Sequence, residues 1–209
     1  MTRIVVVSAG VGVPSATRLL ADRLAQSVVG ALGDHDVRLD HVELRPLAHA
    51  LADRVLTGFA SEELQAALDT VAGADGLVVV TPVYAASYSG LFKMFVDVLE
   101  PDSLAGVPVL LSATAGTARH SLVIEHALRP LFAHLRAVPV PTGVFAATDD
   151  FGRDADLSGR IARAAAELAL AVRPSASEAR VVTSRPRLAA AQADDPVPFE
   201  QLLRQASGR

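Results

Sequence analysis

With 209 residues, 51% of them hydrophobic and 20% charged, the chain can bury a sizeable core and fits one domain with or without a tail. A formal net charge of -4 offers no broad cationic surface to a nucleic-acid backbone. The absence of cysteine excludes disulfides, thiolate metal sites and thiol nucleophiles, and it suits the reducing cytoplasm, where the chain is expected to work.

The opening MTRIVVVSAGVGVPSA has the outline of a secretory leader, with Arg3 ahead of an apolar run, but Ser8 and Gly10 interrupt that run too early. No later segment approaches the ~20 apolar residues of a membrane span. Residues 4–7 read instead as a buried first strand, followed by a Gly-containing loop and a helix in which Leu20, Leu24, Val28 and Ala31 recur at helical spacing. Residues 37–44 alternate as a second strand. After a connection marked by Pro and Gly, Ser61 is a candidate N-cap for a second helix with Leu64, Ala67, Leu68 and Val71 on one face, and Glu62 and Glu63 suit its positive first turn.

Residues 76–81, apolar throughout, predict a third strand covered on both faces, with 81–90 as the loop after it. Leu91, Phe92, Phe95, Val96 and Leu99 then form a core-facing helix stripe that stops before Pro101, with Lys93 and Asp97 as an i, i+4 surface pair. Residues 107–113 are a fourth strand. A helix over 121–136 carries Pro130 and is expected to kink or break there. Residues 138–147 are a fifth strand whose prolines place it at a sheet edge, and a last helix spans about 157–172. Strands alternating with helices predict a three-layer, doubly wound α/β domain with a five-stranded parallel sheet over residues 1–173. From 174 to 209 the composition shifts to Ala, Ser, Arg and Pro, a tail ending in a short apolar face of Phe199, Leu202 and Leu203 that would dock on a neighbouring subunit.

In such a sheet, ligands bind beyond the carboxyl ends of the strands, at the switch point. The loops there, 8–17, 81–90 and 113–120, are rich in Gly, Ser, Thr and Ala and poor in charge, so their backbone N–H groups can approach a ligand closely. Ser8, Ser15 and Thr17 offer hydroxyls at the start of the first helix, a place for a phosphate, although Ser15 could simply cap that helix. The loop lacks the lysine of a P-loop and the third glycine of GxGxxG. Thr81 and Pro82 stand where a phosphoryl receiver needs an aspartate, no GxSxG elbow occurs, and His35, His41, His49, His126 and His134 are scattered along the chain. His120 differs by ending the third loop. With no nucleophile, metal set or base constellation, the loops describe a pocket for an imported group, a phosphate joined to a flat ring with polar edges, which suits flavin mononucleotide (FMN).

The combination VVSAG…PSATRLLADRLA, LVVVTPVYAASYSGLFKMFVDVLEP and PVLLSATAGTARHS resembles the NADPH-dependent FMN reductase family of flavodoxin-like folds, and within it the branch that supplies reduced FMN to luciferase-like monooxygenases. The similarity runs from residue 1 to about 172. It implies strand order 2-1-3-4-5, FMN as cofactor and NADPH or NADH as co-substrate. It further implies a homodimer or homotetramer with residues 82–100 near the subunit contact, and a flavin-dependent monooxygenase as partner. Carried over by position, Ser8, Ser15, Ala16 and Thr17 form the phosphate loop with Arg18 as helper. Pro82, Val83, Tyr84 and Ser87 run along the isoalloxazine, and Thr114, Ala115 and Gly116 close on its pyrimidine end, near His120. Many relatives carry a charged or amide residue where Val83 and Ala85 stand, so backbone contacts are expected here. Tyr84 is expected at the flavin and Tyr88 at a partner subunit. Arg45, Arg119 and Arg153 are the cations available to a 2′-phosphate. A quinone, azo-dye or metal-ion reductase, an electron-carrying flavodoxin, and a regulatory module without flavin remain as alternatives.

Overall fold

The computed structural model describes residues 1–33, 36–152 and 154–172. β1 (Thr2–Ser8), β3 (Gly76–Tyr84) and β5 (Pro108–Ala115) are the apolar runs of the sequence, and Ile4 to Val7, Val78 to Val80 and Val109 to Leu111 are almost wholly buried. Strands this apolar on both faces need a helical layer on each side. β2 (Val37–Glu43), whose exposed residues alternate with covered ones, takes the edge beside β1. β4 (Ser87–Tyr88), β6 (Val138–Pro139) and β7 (Val144–Ala147) complete the strands. The parallel order β2-β1-β3-β5-β6, with β7 also parallel to β5, is the expected 2-1-3-4-5 with the fifth strand in two pieces. Pro139 and Pro141 remove ladder donors between those pieces. Gly143 lies so close to the next layer that a Cβ there would fall 2.6 Å from Ile124 Cγ2.

On one face, α1 (Ala16–Leu32) and α6 (Asp154–Val172) bury Leu20, Leu24 and Val28 with Ile161, Ala165 and Leu168 against the even-numbered positions of β1 and β3. α2 (Ala48–Thr57), α3 (Glu62–Ala72), α4 (Gly90–Asp97) and α5 (Arg129–His134) cover the other face, where Phe92, Phe95 and Phe132 fill the core. Ser61 caps α3, its Oγ accepting from Leu64 N–H at 3.3 Å. The expected helix over 121–136 is interrupted: a π-helical turn at Ile124–Leu128 leads into α5, in which Pro130 lacks an N–H and crowds the carbonyl four residues back.

Three elements differ from expectation. α2 lies inside the Pro- and Gly-marked connection; it buries only Leu51 and ends at Gly58 with φ +80°, so it shows little apolar periodicity. β3 continues past Thr81 to Tyr84 and turns back as β4, pairing Val83 with Tyr88 and Tyr84 with Ser87. α6 begins three residues earlier than expected, at Asp154. The expected tail, residues 174–209 with Phe199, Leu202 and Leu203, lies outside the described residues, as do His35 and Arg153. No helix among the described residues is long and apolar enough to cross a membrane.

Candidate functional site

β1, β3 and β5 are neighbours and parallel, so the segments that leave their carboxyl ends share one edge of the sheet. Ser8 is 4% exposed and opposite Val80; Pro82 is opposite Thr114 on β5. The backbone at the base of the first loop is already engaged, with Leu44 N–H donating to Ser8 O and Ala9 N–H to Val80 O, both at 3.0 Å. This anchors a loop whose outer part is exposed.

Ser15 caps α1, its Oγ accepting from Arg18 N–H at 3.2 Å. The capping role weighed from the sequence is therefore present, and it does not compete with anion binding, because a helix N-terminus offers several N–H groups besides the capped one. The loop folds tightly enough that a Cβ on Gly10 would lie 2.2 Å from Ser15 Oγ. In the sequence Gly10 reads only as a break in the first apolar run, because its role here comes from the approach of Ser15. Ala16 is exposed on the outside of the first turn.

Thr17 is buried, and its Oγ1 is 2.8 Å from Thr114 Oγ1 on β5. Because β3 lies between β1 and β5, this bond carries the first turn of α1 across the end of β3. Two hydroxyls bring two protons and the bond uses one, so the pair retains a donor. Arg18 donates from Nε to Asp22 Oδ1 at 2.7 Å, and its Nη1 pairs with Glu43 at the end of β2.

The segment from Val83 to Tyr88 is a hairpin whose turn residues Ala85 and Ala86 both have positive φ, 48° and 65°. Its base is clipped by two buried hydroxyls missed in the sequence. Ser89 N–H donates to Thr81 Oγ1 at 3.1 Å, Thr81 Oγ1 donates to Pro82 O at 3.1 Å, and Ser89 Oγ caps α4 by accepting from Phe92 N–H at 3.2 Å. A serine directly ahead of the apolar stripe 91–99 was the available signal for that cap. The two tyrosines part company on this hairpin. Tyr84 is 51% exposed, whereas Tyr88 packs with its ring centre 6.1 Å from that of Phe92. Pro82 is buried; Val83 and Ser87 are half-buried.

The third loop leaves β5 through buried Thr114 and half-buried Ala115, exposes Gly116, and tightens into a 3₁₀ turn at Ala118–His120. His120 is half-buried at its end and Arg119 is exposed, as is Arg45 after β2. Beneath Thr114 on the same face of β5, Ser112 Oγ is fully buried with no hydrogen-bond partner.

Charge concentrates beside the first loop. Besides Arg18, Asp22 and Glu43, His41 Nδ1 lies 3.9 Å from Asp22. Burial and the Arg18 cation push the pKa of His41 below 6.5, against the opposing pull of Asp22 and Asp40. Further along β2, burial alone would raise the pKa of Asp40, but hydrogen bonds from Arg3 (2.6 Å) and Arg38 (3.2 Å) hold it below the ordinary carboxylate value. Among the described residues no cluster of three His, Cys, Asp or Glu side chains could hold a metal.

The edge thus combines an uncharged loop at a helix N-terminus, a paired hairpin beside it, and a glycine-bearing loop. The Gly10–Ser15 approach draws the first loop close against α1, and the Thr17–Thr114 pair joins the first turn of α1 to β5. The family model described as NADPH-dependent FMN reductase matches residues 2–152. An NADH-dependent FMN reductase, SfnF, of Pseudomonas putida is 42% identical over 149 residues, covering 71% of this chain and 79% of that one. An FMN reductase (NADPH) of Pseudomonas aeruginosa is 41% identical over 152 residues, covering 71% and 78%. Among solved structures, an oxidoreductase from Corynebacterium diphtheriae superposes with a TM-score of 0.80 at 46% identity, covering 82% of this chain and 97% of that one.

Proposed function

The chain belongs to the NADPH-dependent FMN reductase family, and from that premise we propose how its three loops hold the flavin and where the reduced flavin goes. Its activity is NAD(P)H-dependent reduction of FMN. When bound, FMN would supply the ring that accepts the hydride. What the chain itself contributes is binding and alignment.

The observation that carries the site is the Thr17–Thr114 hydrogen bond, which ties the first and third loops together across the end of β3. Ser8, Ser15, Ala16 and Thr17, with the N–H groups of the first turn of α1, take the phosphate, and Arg18 is the cation at hand. Pro82, Val83, Tyr84 and Ser87 lie along the ring, with backbone contacts from Val83, and Tyr84 borders its open face. Thr114, Ala115 and Gly116 close on the pyrimidine end, near His120. Loops 8–17, 81–90 and 113–120 contain no carboxylate, and Arg119 is their one permanently charged side chain. Hydride transfer between stacked rings needs no general base, so such a lining excludes nothing the reaction requires.

We assign the reduced flavin to a flavin-dependent monooxygenase, and the chain to a cytoplasmic homodimer or homotetramer with residues 82–100 near the subunit contact. Residues 1–173 are proposed as the reductase domain and 174–209 as a separate tail.

The test separates flavin release from reduction of another acceptor. The protein, NADPH or NADH and FMN are mixed without oxygen, and the mixture is filtered. Recovery of reduced flavin in the filtrate supports supply to a monooxygenase. Flavin retained by the protein, with faster turnover on a quinone or azo dye than on free FMN, would instead make it a reductase of those acceptors.

A further inference from the structure

Loop 8–17 carries no charged side chain, and Arg18 is the first cation after it. It stands in the first turn of α1, where helix geometry leans a side chain toward the N-terminus, here toward the loop. Its guanidinium is instead held by two carboxylates. Nε donates to Asp22, one turn further along α1, and Nη1 pairs with Glu43 from β2. Arg18, Asp22 and Glu43 are 37%, 40% and 50% exposed, so these pairs are held in solvent, where they are weak and exchangeable. A phosphate at the N-terminus of α1 offers the same guanidinium a charge-assisted, bidentate partner.

We infer that Asp22 and Glu43 compete with the FMN phosphate for Arg18, lowering flavin affinity so that FMN exchanges as a substrate instead of staying bound. The inference rests on the phosphate lying at the N-terminus of α1. Two carboxylates against one guanidinium leave the trio with a net negative charge, so the loop meets no uncompensated cation. Neutralising a carboxylate weakens the hold on Arg18 and leaves its guanidinium more available to the phosphate. His41, 3.9 Å from Asp22, adds a neutral imidazole above its depressed pKa and does not replace the lost carboxylate.

The test measures dissociation constants for FMN and for riboflavin, which lacks the phosphate, in the parent, Glu43→Gln, the double variant Asp22→Asn/Glu43→Gln, Arg18→Ala, and Arg18→Ala added to the double variant. Thermal unfolding of each protein checks the fold. If the double variant does not fold, Glu43→Gln alone carries the comparison. FMN should bind the neutralised variants about threefold or more tightly, riboflavin should bind unchanged, and the gain should vanish once Arg18 is alanine. No gain for FMN overturns the inference. So does a gain that survives Arg18→Ala, which would mean direct repulsion of the phosphate by the carboxylates, or an equal gain for riboflavin. In each of those cases a parent that still prefers FMN to riboflavin leaves the phosphate position standing. A parent that binds both flavins equally overturns that position and this inference together.

Discussion

Gly10 has no room for a side chain, because a Cβ there would meet Ser15 Oγ at 2.2 Å and Thr17 Cβ at 3.1 Å. In Gly10→Ala, Ser15 must rotate away and the cap on α1 is lost, which costs about 1 kcal/mol of stability. The same movement disturbs the phosphate position, so FMN affinity should fall by about tenfold or more, the scale of one charge-assisted hydrogen bond. Ser15→Ala/Thr17→Ala should weaken FMN binding similarly, weaken riboflavin binding less, because the Thr17–Thr114 tie to the third loop is also lost, and keep the fold. Titration with both flavins checks both variants, and a double variant that binds FMN as tightly as the parent would remove the phosphate from this loop. The hydroxyl types at 8, 15 and 17 are readable in the sequence as a phosphate signature. The partners are not: Thr17 meets Thr114 97 positions away, and Arg18 meets Glu43 only because β2 lies beside β1.

At the scale of elements, the β3–β4 hairpin carries the most unusual backbone. Two-residue hairpin turns favour Asn-Gly because both central residues take positive φ. Here Ala85 and Ala86 do so at φ 48° and 65°, each at a steric cost to its Cβ. Ala85→Asn/Ala86→Gly should therefore raise stability by about 1 kcal/mol, seen as a higher Tm. An unchanged or lower Tm would show that the alanines are not strained there. Two alanines give no turn signal, which is why 81–90 reads as a plain loop although it is a paired ribbon. α2 is hidden for a related reason, since one buried leucine makes no stripe. β1, β3 and β5 are legible because continuous Val, Ile and Leu runs admit few other structures, and the break between β6 and β7 follows from the prolines that marked an edge. Pro130 likewise marked the place where the helix after β5 is disturbed, while the π-helical form of that disturbance depends on packing.

Across the whole molecule, one titration links the charged rim of the site to global stability. The pKa of His41 lies below 6.5 in the folded protein, chiefly through burial and then through Arg18. On acidification the unfolded chain takes up this proton first. Stability from His41 is therefore complete above about pH 6.5, falls as the pH drops toward the folded pKa, and levels off below it. His41→Gln should flatten that part of the Tm-against-pH curve, and an identical curve would assign the acid loss to other groups. The sheet brings the three loops to one edge, between the two helical layers. The most direct measurement of this account is the oxidation of NADH and NADPH by the purified protein with and without added FMN. Oxidation of at least one nucleotide should rise with FMN and saturate; a protein that oxidises neither nucleotide when FMN is present, or oxidises them at a rate indifferent to FMN, would contradict FMN reduction as its activity.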